Sequence, residues 1–179
     1  MKSLYLAALY LALAGAANAQ GLADVPLEGD MRKLSVHEAP VAVPDTAFET
    51  PEGEARTLGD YAGTPILLNF WATWCAPCRE EMPALDTLQQ EMGGEDFEVV
   101  TIATGRNPVE GIRQFYEEEG IEALPILLDP RQALARDMAV LGLPVTVLID
   151  AEGREVARMI GDADWAGPEA RAVIEALTE

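Results

Sequence analysis

The chain has 179 residues, with 12 Lys and Arg against 31 Asp and Glu and a formal net charge of −19. That length supports one domain with a real core. The charge excludes a nucleic-acid binder, which needs a basic face to displace phosphate counterions, and a polybasic grip on anionic lipid. Two cysteines and one histidine cannot build a structural zinc site, which wants four such ligands, so no metal site is assigned and no cofactor is implied.

Lys2 precedes an uncharged apolar run from Leu4 to Ala17, which ends in the small-x-small pattern Ala17-Asn18-Ala19. This is the grammar of a cleaved export signal, and a membrane-spanning helix would want roughly 20 apolar residues. Residues 1–19 therefore read as a signal peptide directing the chain to a bacterial periplasm, with retention as an inner-membrane anchor the other reading. Residues 20–35 are polar and aperiodic and read as a flexible lead-in; 36–179 reads as the folded domain.

Within that domain, Ala47-Phe48-Glu49 and Ala55-Arg56-Thr57 flank Pro51-Glu52-Gly53-Glu54 as an opening hairpin, and Thr57 to Tyr61 suggests one helical turn. Pro65 to Trp71 is a short apolar run, the pattern of a parallel strand covered on both faces. Met82, Leu85, Leu88 and Met92 recur at helical steps up to Gly93-Gly94. A second strand over Phe97–Ala103 leads to a helix carrying Val109, Ile112, Phe115 and Tyr116 and stopped by Gly120. A strand at Ile126–Leu128 and a helix from Gln132 to Leu141 come next. Pro144–Ile149 and Val156–Ile160 are joined by Asp150-Ala151-Glu152-Gly153 as an antiparallel pair, before a last helix from Pro168 to Leu177. Strands alternating with helices, then a hairpin and a helix, make an α/β domain with a central mixed sheet and helices on both faces.

Both cysteines lie in Trp74-Cys75-Ala76-Pro77-Cys78, where a buried strand gives way to a helix. Three residues apart in a first helical turn, the two side chains share a face and can meet disulfide geometry. Unpaired N–H groups and the helix dipole favour a thiolate at Cys75, the attacking species in disulfide exchange. Pro77 gives up an N–H that would have no partner there, and Cys78 is placed to resolve a mixed disulfide. A merely structural disulfide is the bland alternative, but closing so small a loop removes only about 2 kcal/mol of unfolded-state entropy, against roughly 3 for a 15-residue loop. Two thiols holding Cu(I) is another alternative; nothing in the pattern aims His37 at them. Downstream, Gly142-Leu143-Pro144-Val145-Thr146 opens an apolar strand with a proline.

Strand, Trp-Cys-x-x-Cys, helix and a later Leu-Pro-Val-Thr before a hairpin resemble the thioredoxin fold. The run from Asn69 to Leu85, together with Val36–Pro40 and Gly161–Trp165, resembles the TlpA/ResA branch of exported thioredoxin-like proteins, and within it most closely the TlpA kind. The resemblance covers nearly everything from Val36 onward and makes the helix and strand ahead of Pro144 an inserted βα segment. It implies a cis Pro144 beside the cysteines and a Leu143 backbone that pairs with substrate, with Trp74 offering partners an apolar contact. It also implies a disulfide reductase for partner proteins, fed by a membrane thiol transporter of the DsbD or CcdA kind. Its substrates would be Sco-type copper chaperones or the copper subunit of cytochrome oxidase.

The nearest rival is the CcmG-type reduction of apocytochrome c cysteines, whose usual glutamate after the proline is absent here. Two positions depart from ordinary thioredoxin. Asn69 stands where a buried Asp is usual and cannot take a proton. Glu81 matches an acid that ResA-like proteins place near their cysteines, so it is the candidate proton shuttle for Cys78, in competition with Glu80.

Overall fold

The computed structural model describes residue 22 and residues 24–179; the signal peptide read at 1–19 lies outside the described residues. The described part of the lead-in corrects the expectation of flexibility. Gly29–Lys33 wind into a 3-10 turn, which lies against the last helix of the chain and buries Met31, while Leu22 and Leu34 enter the same core. Lys33 Nζ donates to the Asp162 carbonyl at 2.5 Å and meets Asp30 at 3.1 Å. Three apolar residues spaced this irregularly follow neither a helical nor a strand period. Only the surface they land on makes them core.

Strand β1 spans Ser35–Ala42, β2 Phe48–Glu49 and β3 Ala55–Arg56, followed by a 3-10 turn over Leu58–Tyr61. Then come β4 (Ile66–Trp71), α1 (Ala76–Met92), β5 (Glu98–Thr104), α2 (Val109–Glu119) and β6 (Leu127–Asp129). Helix α3 covers Ala133–Asp137, β7 Val145–Ile149, β8 Arg154–Ile160 and α4 Pro168–Thr178. The strands form one sheet in the order β1-β8-β7-β4-β5-β6-β2-β3. Neighbours β4–β5 and β5–β6 run parallel; β4–β7, β7–β8, β1–β8, β2–β6 and β2–β3 run antiparallel. This is the expected mixed sheet of a thioredoxin-like fold, with the opening hairpin docked on the inserted strand β6.

Every residue of β4 is buried. Because side chains alternate across a strand, Ile66, Leu68 and Phe70 join Leu134 of α3 and Met138 just after it in one apolar cluster. Leu67 and Trp71 join α1, α2 and α4 in the other. Trp71, Met82 and Leu85 are core, as read.

Helix α3 departs from the sequence reading, which carries it to Leu141. Ala139 takes a left-handed conformation (φ 55°), and the Val140 N–H returns to the Ala135 carbonyl at 2.8 Å. That pattern ends a helix, usually with glycine in the left-handed position, which is why Gly142 looked like the stop. Among the described residues, no helix is long and apolar enough to cross a membrane.

Candidate redox site at the start of the first long helix

The loop leaving β4 is pinned from a neighbouring strand end. The Thr73 N–H and hydroxyl both donate to Asn107 Oδ1, at 2.8 and 3.0 Å, while Asn107 Nδ2 donates to the Thr104 carbonyl at 2.9 Å. Cys75 then caps α1: the Cys78 N–H donates to its sulfur at 3.3 Å. Pro77 sits in the first turn. The two sulfurs are bonded, with Cα atoms 5.3 Å apart. Their surroundings are unequal, since Cys75 retains 6% exposure and Cys78 none. A sulfur at the positive end of a 17-residue helix is held where a thiolate is favoured.

Strand β7 brings the proline motif to this place. Phe70 pairs with Val145, so Pro144 lies at the end of β4 from which the cysteine loop departs, and its peptide bond to Leu143 is cis. Trp74 and Leu143 line one cleft. Trp74 is 64% exposed, and two further large apolar side chains stand out on the same side: Leu141 at 98% and Ile160, which pairs with Val145, at 73%. Sequence reading missed both, since Leu141 passed for the end of a helix and Ile160 for the end of a strand.

Beneath the cysteines lies a buried polar chain. Asn69 Nδ2 donates to Glu81 Oε1 and to Thr146 Oγ1, each at 2.9 Å. Glu81 Oε2 accepts from the Ala163 N–H at 3.1 Å and from Trp165 Nε1 at 3.2 Å. Glu81 turns inward and is buried, whereas Glu80 is exposed. Burial pushes the Glu81 carboxyl up to about 7, against the pull of the Asn69, Ala163 and Trp165 donors. Its outer side meets a surface cleft of about 260 Å³ also lined by Asp30, Asp162 and Asp164. Trp165, Thr146 and Asn107 carried no signal of these contacts in their own surroundings in the sequence.

His37 does not approach the cysteines: its Nε2 lies 2.7 Å from Glu155 Oε1. Burial opposes ionisation of Glu155, but Arg158 and His37 together hold its carboxyl below the usual range. Among the described residues no group of three His, Cys, Asp or Glu is placed to hold a metal ion.

The family model described as Redoxin matches residues 38–174. The chain belongs to the Redoxin family. Among similar proteins, the thioredoxin-like protein YneN of Bacillus subtilis is 35% identical over 123 residues, spanning 68% of this chain and 71% of YneN. The thiol-disulfide oxidoreductase ResA of the same organism is 30% identical over 129 residues, spanning 72% of this chain and 70% of ResA. A crystal structure of a protein assigned as the thiol:disulfide interchange protein DsbE of Chlorobium tepidum superposes with a TM-score of 0.67 at 26% identity. It covers 80% of this chain and 99% of that one. The exposed lipoprotein thioredoxin Etrx1 of Streptococcus pneumoniae superposes with a TM-score of 0.60 at 28% identity, covering 75% of this chain and 98% of that one. This Redoxin-family chain is a thiol–disulfide oxidoreductase of the ResA and DsbE type, with Cys75 and Cys78 as its vicinal pair.

Proposed function

We propose that the chain is an exported reductant of disulfides in partner proteins. The observation that carries this reading is the asymmetry of the pair: Cys75 caps the helix and keeps a margin of exposure while Cys78 is sealed beneath it. The Cys75 thiolate attacks one sulfur of the partner disulfide, forming a mixed disulfide and expelling the other sulfur as a thiolate, which takes up a proton. Cys78 then loses its proton and attacks Cys75 Sγ, closing the Cys75–Cys78 disulfide and releasing the partner's second thiol. Two electrons pass to the partner. Glu81, one turn after Cys78 and poised near neutrality, exchanges the proton that Cys78 gives up. Trp74, Pro77, Leu143 and Pro144 form the contact with the partner, the Leu143 backbone pairing with it as a strand would.

The leader at 1–19 supports export to the periplasm, and the motif from Asn69 to Leu85 supports placement in the TlpA branch. On that placement the partners are the copper-site cysteines of Sco-type chaperones or of the cytochrome oxidase copper subunit, and the electron donor is a membrane thiol transporter of the DsbD or CcdA type. Cytochrome c maturation is the less favoured role, because Gly142-Leu143-Pro144-Val145-Thr146 lacks the glutamate of that group. Equilibration with a thiol redox buffer tests the direction of electron flow. A potential near or below about −200 mV, towards thioredoxin at about −270 mV, is expected; one near about −120 mV would mark a disulfide donor instead.

A further inference from the structure

Beside the cysteine loop lies a cleft of about 250 Å³ whose lining includes Trp74, Thr104, Gln132, Arg136, Leu141 and Leu143. Its cysteine side is apolar and exposed; its far wall is α3, which presents Arg136. Cations are scarce in a chain of net charge −19, and several are committed. Lys33, Arg56, Arg113, Arg154, Arg158 and Arg171 each meet a carboxylate. Arg136 meets none among the described residues. Its Nη1 donates to the Arg131 carbonyl at 2.7 Å, which holds the planar guanidinium and leaves the rest of its N–H fork unused.

Arg32, Arg79, Arg106 and Arg131 also meet no carboxylate among the described residues, but none of them lines this cleft. Arg106 stands between Gly105, which packs on the Gln132 side chain, and Asn107, which holds Thr73. Arg136 is thus the one arginine among the described residues in the lining of this cleft at the redox site. The acids of the same segment are engaged elsewhere. Asp129 accepts from the Ala133 and Ala135 N–H groups at 2.7 and 2.9 Å, and Asp137 accepts from the Thr46 hydroxyl at 2.5 Å.

We propose that this cleft selects the substrate: it takes an extended segment of the partner protein that carries a large apolar side chain and a carboxylate close in sequence to its disulfide cysteine. The proposal rests on the reading of the chain as a reductase of protein disulfides. The apolar side chain lies between Trp74 and Leu141, and the carboxylate meets Arg136. The strongly acidic remainder of the molecule repels such a partner at long range, whereas the contact itself acts within a Debye length of about 8 Å at physiological salt. The effect therefore belongs in KM rather than in the rate of chemistry.

Three disulfide-bonded peptides, identical except for Asp, Asn or Lys beside a Leu next to the cysteine, test this with the reduced protein. The Asp peptide is expected to exceed the Lys peptide about ten-fold in kcat/KM, chiefly through KM. Arg136→Gln is expected to bring the Asp peptide down to the Asn peptide, and Arg136→Glu to invert the order, which a folding defect would not do. Equal kcat/KM for all three peptides, or a preference for Asp that survives in Arg136→Glu, overturns the subsite while leaving the reductase reading in place. Reduction of none of them overturns both. If dithiodipropionate, a small dianionic disulfide, gains from Arg136 while the peptides show no preference, the cleft serves small anions and the peptide proposal falls.

Discussion

Cys75 and Cys78 are the same residue one helical turn apart, and the backbone makes them unequal. The cap position gives Cys75 the N–H groups of the first turn and an edge of exposure; the next turn seals Cys78 against α1's own core. Cys75→Ser is therefore expected to abolish disulfide reduction. Cys78→Ser is expected to accumulate mixed disulfides with partners, seen by non-reducing electrophoresis. Equal turnover by the two variants would contradict the two-step scheme. In the proton exchange proposed for Glu81 the ionised form is the base, so the rate of the resolving step is expected to rise as pH passes about 7, and to lose that rise in Glu81→Gln. Stability moves the other way. A carboxyl raised from 4.5 to about 7 binds its proton more tightly in the folded state. The favourable contribution is complete below pH 4.5 and is lost as pH rises through about 7, a difference of about 3 kcal/mol at most. Urea unfolding of the oxidised protein at the two ends of that window should show the decline in the parent and not in Glu81→Gln.

At the scale of elements, single carboxylates hold pieces together that propensity would not. Asp86, buried on α1, accepts the N–H groups of Glu122, Ala123 and Leu124 at 3.1, 2.7 and 3.2 Å. It thereby ties α1 to the loop that feeds β6. Asp86→Asn replaces a charged acceptor by one that also carries donors, and is expected to cost about 2–3 kcal/mol. The check is a lower urea midpoint at unchanged slope, with the reduction potential unaltered. Asp129 does similar service for α3, whose five residues are too few to stand alone. The early end of that helix at Ala139 leaves Leu141 projecting into solvent beside Trp74, so the shape of the surface beside the cysteine loop follows from where the helix stops.

Across the whole molecule, the sheet joins segments that lie far apart in the chain. The hairpin at β2–β3 docks on β6, and β1 pairs with β8. The turn at Gly29–Lys33 completes the core under α4. Met31→Ala is expected to cost about 2–5 kcal/mol, as for other fully buried apolar side chains cut to Ala, whereas Asp24→Ala, at an exposed position, should be neutral. Thermal or urea unfolding of both variants separates a packed segment from a flexible one.

Local chemistry was legible before any coordinates. The apolar run of β4, the helical steps of α1, the two cysteines at their junction and the proline opening β7 are patterns within a few residues, where alternation, helical period and backbone restriction act directly. The inward turn of Glu81 was half legible, because it follows Cys78 by three residues on a helix whose apolar face was already marked. What only the tertiary structure decided are contacts across long separations: Asn69 with Thr146, Glu81 with Trp165, Met31 with the last helix, and Arg136 of α3 set in one cleft with Trp74. Sequence period reports which side of an element is buried; it cannot report what another element will bring to that side, because strand order and register settle that only when the sheet assembles.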